Sequence, residues 1–240
     1  MDNPSYVTLS RMQGLAKNLD IVANNLANAT TTGFRREGVI FAEVVERLDV
    51  LGGSSSQAAA RVRSTDFGQG ALSATGGTFD FAIEGDGFFQ IETEEGVALT
   101  RAGSFARNLA GELTTPDGRR VLGEGGAPVF FPPDARSIEV ATDGTISADG
   151  EPVGRIAVVS VADLSTLSRR DGGLFVTEEP LNAAPDAAIF QGFVEQSNVN
   201  AIHEISRMIE VQRAYEMGQS FLTTEDERMR QAVRVMGSAL

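Results

Sequence analysis

Cysteine and tryptophan are absent from the sequence, and histidine occurs once in 240 residues. Without cysteine the chain has no disulfide, no thiolate metal ligand and no cysteine nucleophile, while its redox compartment stays undecided. With only His203 available, the usual metal-binding and acid–base chemistries lack their most common side chain. The sequence therefore predicts no catalytic site, no metal site and no cofactor, and an enzyme is the least favoured class of protein.

Positive charge and long apolar runs are also scarce. Lysine and arginine number 20 against 33 acidic residues, and the net charge of −13 disfavours a nucleic-acid partner because such a surface repels phosphate. No apolar run approaches the roughly 18 residues of a membrane helix, so we expect no membrane insertion. The first residues lack a basic region followed by an apolar run, so we expect no cleaved secretory signal, and export would take another route.

The two ends of the chain differ in composition from its middle. All six methionines and both tyrosines lie before Leu15 or after Asn200, whereas seven of the eight prolines lie between Pro116 and Pro185. With 42% hydrophobic residues, the chain can bury at least one core. These differences predict an α+β fold with helical ends and a central, mostly antiparallel β domain.

The N-terminal segment, from about Asn3 to Asn28, has the apolar period of a helix. Its apolar residues alternate in steps of three and four, which is the pattern of a coiled-coil seam. The seam residues are Leu9, Met12, Ala16, Leu19, Ala23 and Leu26. Leu15 and Val22 widen this face, and a glycine at position 33 predicts that the helix has ended by then.

The C-terminal segment repeats the same alternation over five heptads. Its members are Ile205, Met208, Gln212, Tyr215, Gln219, Leu222, Asp226, Met229, Val233, Met236 and Leu240. Polar seam residues cost stability but specify register and partner number, which suits an ordered assembly. A long surface helix that packs only on its own domain is the alternative, and the second heptad segment at the opposite terminus makes it less favoured.

Between about 67 and 190, short alternating apolar runs are separated by Gly, Asp and Pro, as in a compact β domain. AspGly pairs favour tight turns because glycine reaches positive φ at little cost. These pairs lie at 86–87, 117–118, 143–144 and 149–150. Residues 84–89 predict a turn between strands, with Phe88 and Phe89 divided between the core and the outer face. Residues 51–61 (LGGSSSQAAAR) predict a flexible connector.

Sequence motifs at both ends resemble one known family. Residues 22–36 (VANNLANATTTGFRR), 196–200 (QSNVN) and 204–216 (EISRMIEVQRAYE) are similar to the terminal signatures of the rod and hook axial proteins of the bacterial flagellum. Segments 85–89, 100–105 and 111–123 are similar as well, so the resemblance covers nearly the whole chain. Residues 1–7 and 154–159 are most similar to proximal-rod members, and distal-rod members are the close alternative.

The resemblance implies a structural subunit of the flagellar basal body, exported by the flagellar type III apparatus without a cleaved signal peptide. Subunits would assemble with copies of themselves and with other proximal and distal rod proteins into a periplasmic drive shaft. This shaft would transmit torque from motor to hook. The implied organisation is a helical coiled-coil domain (1–35 and 196–240), an extended connector (36–66) and a central β domain (67–195).

The assembly interface is expected on both terminal helices. On the N-terminal helix its residues are Leu9, Met12, Leu15, Leu19, Val22, Asn24, Asn25, Leu26 and Asn28. On the C-terminal side they are Ser197, Asn198, Val199, Ile205, Met208, Ile209, Gln212, Tyr215, Leu222, Met229, Val233 and Met236. A secreted β-domain binding module with coiled-coil ends remains the alternative, although the missing tryptophans disfavour an aromatic-lined pocket.

Overall fold

The computed structural model describes residues 3–47 and 54–237, with the side chains of 7–39, 64–231, 233 and 234. Over these residues the chain forms helices α1 (Asn3–Ala27) and α2 (Ala201–Gly237) and eighteen strands. The strands are β1 (Glu37–Arg47), β2 (Ser54–Thr65), β3 (Leu72–Ala74), β4 (Phe81–Glu84), β5 (Phe88–Thr93), β6 (Gly96–Thr100), β7 (Ala106–Arg107), β8 (Leu113–Thr114), β9 (Val121–Leu122), β10 (Ile138–Val140), β11 (Thr145–Ala148), β12 (Glu151–Arg155), β13 (Val158–Ser160), β14 (Ser168–Arg170), β15 (Leu174–Val176), β16 (Asn182–Ala183), β17 (Ala188–Gln191) and β18 (Phe193–Glu195). The α+β prediction, with helices at both ends and a central antiparallel β domain, is confirmed. Within the described ranges, neither helix combines the length and apolarity needed to cross a membrane.

The chain divides into two compact units whose bounds differ from the predicted ones. The helical unit comprises Met1–Ala27, Arg36–Asp66 and Val199–Leu240, and the β unit comprises Asn28–Arg35 and Phe67–Asn198. Residues 28–35, expected with the helices, therefore belong to the β unit, and residues 36–66, expected as a connector, belong to the helical unit. Tertiary contacts decide both assignments, because the helical period ends at Ala27 and carries no information about the segments that follow.

In the helical unit, α1 and α2 pack side by side and run antiparallel. Asn25, near the end of α1, bonds to Glu204 near the start of α2, and Met12 lies beside Gly218 farther along α2. Gly218 permits this approach, since a Cβ atom there would lie 3.0 Å from the Met12 Cγ atom. With 37 residues, α2 is much longer than α1, which has 25.

Strands β1 and β2 form a long antiparallel hairpin that packs against α1. Its register runs from Glu37 opposite Thr65 to Arg47 opposite Ser54, with an irregularity between Ile40 and Phe41. The described part of the segment expected to be a flexible connector, from Ser54 onward, is therefore strand. Serine and alanine have weak strand propensity, but the backbone ladder to β1 overrides it.

The β unit is built around a seven-stranded sheet with the order β14–β15–β6–β5–β13–β16 and with β9 beside β5. Strands β10, β11 and β12 form a three-stranded sheet, and the other pairs are β17–β4, β18–β3 and β7–β8. The four AspGly pairs lie at turns or bends of the chain, as predicted, and each of their glycines has a positive φ. The tightest joins β11 to β12, where Asp149 also adopts a positive φ of 52°.

Phe88 and Phe89 begin β5 and lie in two different cores. Phe89 packs in the larger core with Phe81 and Phe105, whereas Phe88 packs in a second cluster with Leu99 and Phe175. The turn predicted before them is confirmed, but the expectation that one phenylalanine would lie on an outer face was wrong. The second cluster covers that face. Adjacent residues of a strand point to opposite faces of the sheet, so both phenylalanines can be buried when both faces are covered.

Candidate functional site

The predicted interface residues of α1 divide between a buried and an exposed face. Met12, Val22 and Asn25 are buried within the structure, whereas Leu9 and Asn24 are exposed. The half-buried members are Leu15, Leu19, Leu26 and, beyond the helix in the β unit, Asn28. One side of α1 is therefore already packed in the single chain, and the other side remains open.

The packed side of α1 coincides only in part with the predicted seam. The most buried positions are Met12, Asn18, Ile21, Val22 and Asn25, whereas Ala16 and Ala23 of the seam are exposed. The difference arises because α1 packs against both α2 and the β1–β2 hairpin. The buried face of α1 is therefore wider than the seam and is rotated around the helix axis relative to it. The seam residues Leu9, Ala16 and Ala23 are thus uncovered in the single chain.

Along the C-terminal segment, most predicted interface residues face outward. Val199 is buried, and Ser197, Asn198, Met208 and Leu222 are half-buried. The exposed members are Ile205, Ile209, Gln212, Tyr215, Met229 and Val233, while the side chain of Met236 lies outside the described residues. Exposed apolar residues on a helix mark a surface that a partner can cover.

A buried polar cluster holds the hairpin to both helices. The Asn25 side chain donates from Nδ2 to the Glu37 carbonyl oxygen (2.8 Å) and accepts from the Glu37 amide (2.9 Å). It also donates to Glu204 Oε2, while Arg36 Nε donates to Glu204 Oε1 at 2.6 Å. Glu204 is completely buried. The Asn25 side chain thus bonds to the first residue of β1 as a neighbouring strand would. This side-chain amide of the 22–36 motif therefore bonds within the chain.

The β unit contains a second buried charge cluster, centred on Glu195. Its carboxylate accepts from Arg35 Nη1, from Arg101 Nη1 (3.3 Å) and from the Gly70 amide (2.7 Å). Arg35 and Arg101 are almost fully buried and also donate to backbone carbonyls, Arg35 to Gly68 and Arg101 to Ile83. Burial lowers the pKa of Arg101 to about 10, and the charge of Glu195 opposes this shift.

The segment 28–35 lies in the β unit because several contacts converge on its last three residues. The Gly33 amide donates to the Glu195 carbonyl (2.8 Å), and Gly33 has a φ of 66°. The Arg169 guanidinium lies 4.1 Å from the centre of the Phe34 ring and donates to the Arg35 carbonyl (2.9 Å). The GFR part of the terminal signature, residues 33–35, is therefore an internal anchor of the β unit.

Sequence reasoning did not single out the charged residues of these clusters. Arg35 and Arg36 lie inside the 22–36 motif and Glu204 begins the 204–216 motif, but none of the three has a role assigned from the sequence. Buried charges leave a weak signal in a single sequence, because nothing separates them from solvated ones until their partners are known. His203 is exposed, and within the residues that the structure describes no group of acidic and histidine side chains could hold a metal ion.

Three family models match this chain. The model of the flagella basal body rod protein matches residues 6–35, that of the flagellar hook protein FlgE/F/G D1 domain matches 82–148, and that of the flagellar basal body rod FlgEFG protein C-terminal region matches 191–235. The matched ranges include both terminal segments that carry the resemblance.

Curated relatives match over nearly the full length. The chain is 40% identical to the flagellar basal-body rod protein FlgF of Caulobacter vibrioides and 37% identical to FlgF of Mesorhizobium japonicum, in each case over 99% of both chains. It is 32% identical to the flagellar basal-body rod protein FlgG of Bacillus subtilis, over 96% of this chain and 97% of that one.

Proposed function

This chain belongs to the flagellar basal-body rod protein family and is a structural subunit of the rod, and we propose that it builds the proximal rod by self-assembly through its terminal helices. It is located in the flagellar basal body and is not an enzyme. The higher identity to relatives named FlgF than to the relative named FlgG supports the proximal position. The distal rod is the alternative within the same family.

The observation that carries the assembly proposal is the apolar surface left open by α1 and α2. Each helix buries one face inside the helical unit yet exposes further apolar residues, among them Leu9, Ile205, Ile209 and Val233. Burying such surface against other subunits would stabilise an assembly by roughly 25 cal/mol per Å². In this proposal the helices form coiled-coil contacts in the rod, and the polar residues Gln212, Gln219 and Asp226 specify register.

The predicted interface residues then have two kinds of role. The exposed and half-buried ones would contact neighbouring subunits directly. The buried ones, Met12, Val22, Asn25 and Val199, would hold the helical unit in the shape that those contacts require. The partners would be further copies of this chain and other rod proteins, and the flagellar type III apparatus would deliver the subunit to the periplasmic rod. The assembled shaft would carry torque from motor to hook.

The proposal is tested with the substitution pair Ile205→Asp and Ile209→Asp on the chromosome. We expect a stable monomer, loss of swimming and basal bodies without rods and hooks in electron micrographs, because both side chains are exposed in the single chain. The matched control, His203→Asp, changes an exposed polar position of the same helix more than 100° around the helix axis from Ile205 and Ile209, and it should leave swimming intact. Normal rods in the isoleucine variant would contradict assembly through this face.

The position within the rod needs a separate measurement. Gold labelling of an epitope inserted at the exposed turn around Gly150 should place this subunit at the motor end of isolated rods. Label only at the hook end would favour the distal alternative and leave the family assignment unchanged.

A further inference from the structure

The buried cluster around Glu195 holds more positive than negative charge. Arg35 and Arg101 both donate from Nη1 to the Glu195 carboxylate, and the exposed fractions of these three residues are 1%, 4% and 0%. Burial is the main cause of the lowered pKa of Arg101, the charge of Glu195 opposes it, and the repulsion from Arg35 outweighs the attraction of exposed Asp86. Two buried cations therefore share one buried carboxylate in this cluster.

One edge of the Arg35 guanidinium lacks a hydrogen-bond acceptor within the described residues. Its Nη1 donates to the Glu195 carboxylate and to the Gly68 carbonyl, whereas Nε and Nη2 are buried and make no hydrogen bond there. The Nε–H bond and one Nη2–H bond point the same way, because the guanidinium is planar, and together they form a fork of two donors. Buried donors are nearly always paired, since losing water without gaining an acceptor is costly. The fork is therefore a place where a further acceptor would be strongly stabilised.

The groups around this fork favour an acceptor that carries negative charge. Arg101 follows β6 directly, and its Nε is likewise buried without a hydrogen bond in the described part of the chain. Arg169 of β14 lies over the Phe34 ring and donates to the Arg35 carbonyl. Three guanidinium groups from separate segments of the β unit thus lie in one region, and their summed potential attracts an anion.

The burial of Arg35 limits the size of that anion. A carboxylate or phosphate group would suit a two-donor fork, but the rest of its molecule would need an opening to solvent. Arg35 is among the largest fully buried side chains, so the site favours an anion of a single atom. A water molecule could accept the same hydrogen bonds, but it would leave the second arginine without a counter-charge.

We infer that the Nε and Nη2 groups of Arg35 bind one chloride ion inside the β unit. The ion balances the positive charge that Glu195 leaves in the cluster. A guanidinium is more weakly hydrated than an ammonium group, which suits it to pairing with an anion away from water. Because Arg35 follows Gly33 and Phe34, the ion stabilises the position of residues 33–35 in the β unit.

The dependence of the melting temperature on chloride tests this site. Sodium fluoride is replaced stepwise by sodium chloride at constant ionic strength, and unfolding of the full chain is followed by near-ultraviolet circular dichroism. We expect a saturating rise of about 3 °C when chloride reaches about ten times its dissociation constant. A general salt effect would run the other way, because strongly hydrated anions are excluded from protein surfaces and stabilise folded chains more.

Two variants locate the effect. Arg35→Lys keeps a positive charge beside Glu195 but lacks the fork, so its melting temperature should not respond to chloride. The matched control, Arg119→Lys, makes the same change at a half-buried arginine between β8 and β9 and should keep the full response. If Arg35→Lys does not fold, crystals of the unmodified chain soaked in sodium bromide give a direct readout. Bromide should produce an anomalous-scattering peak beside Arg35 Nε and Nη2.

Each outcome supports or overturns the chloride site. A saturating response that Arg35→Lys loses and Arg119→Lys keeps supports it, as does a bromide peak at the fork. Equal melting temperatures in fluoride and chloride overturn it, and so does an unchanged response in Arg35→Lys. Electron density for water at the fork, with no anomalous peak there, overturns it and assigns the two donors to a buried water molecule.

Discussion

Arg36 and Glu204 lie 168 positions apart in the sequence and form an ion pair of 2.6 Å inside the helical unit. Glu204 is completely buried, while Arg36 keeps a quarter of its side chain exposed. The same carboxylate accepts from Asn25, so one residue of α2 joins the end of α1 to the start of the hairpin. The terminal signatures at the two ends of the chain therefore meet at Glu204.

Replacing Glu204 by alanine should destabilise the helical unit by about 3 kcal/mol, because Arg36 and Asn25 lose a buried charged partner. Urea unfolding followed by circular dichroism measures the change. Glu210→Ala on the exposed side of the same helix is the control and should stay within about 0.5 kcal/mol of the parent chain. Equal stability of the two variants would show that the Glu204 cluster contributes nothing to the unit.

Asn25 should be more sensitive to substitution than its position in a polar motif suggests. Asn25→Ala leaves the amide and carbonyl of Glu37 without their side-chain partner, and we expect a loss of about 2 kcal/mol. Hydrogen exchange at the Glu37 amide should become faster. Gln13→Ala, on the exposed side of α1, is the control and should leave this amide protected.

Glu195 neutralises two buried arginines, so Glu195→Gln should destabilise the β unit by about 3 kcal/mol or more. If charge is the cause, adding Arg35→Met to Glu195→Gln should recover part of the loss, because one unpaired buried charge is removed. Denaturant unfolding of the two single variants and the double variant gives the coupling. Simple additivity of the two effects would argue against a shared charge cluster.

Alanine substitutions at two glycines with similar φ values should distinguish the cost of backbone strain from the cost of steric crowding. Gly33 and Gly76 have φ values of 66° and 71°, but a Cβ atom at Gly33 would lie 2.3 Å from the Ala102 nitrogen, whereas at Gly76 it would meet no atom within 4 Å. Gly76→Ala should cost about 1 kcal/mol from the left-handed backbone alone. Gly33→Ala should cost at least about 2 kcal/mol more, since the loop must leave its position. Similar melting temperatures for the two variants would contradict this close packing.

Local patterns in the sequence were enough to predict the classes of structure. The three-four spacing of apolar residues located both helices, because helical periodicity depends only on neighbours along the chain. The AspGly pairs located four turns for the same reason, since the cost of a positive φ belongs to the residue itself. The resemblance of the terminal motifs predicted the family that the comparisons confirm.

The division of the chain into units required the tertiary structure. The period of α1 predicted an apolar face but not its direction, since the hairpin that widens the buried side comes from a segment whose composition resembles a linker. Likewise, no local rule separates Arg35, which bonds to Glu195 in the β unit, from Arg36, which bonds to Glu204 in the helical unit.

The sequence by itself determined the elements, the turns and the family of this protein, because these depend on short-range spacing and on residue types. Only the tertiary structure decided which charges are buried, which helix faces stay open and how far α2 projects beyond α1. Each of these depends on the distance between residues remote in sequence, such as Asn25 and Glu204 or Met12 and Gly218, and a single sequence does not encode those distances in any local pattern.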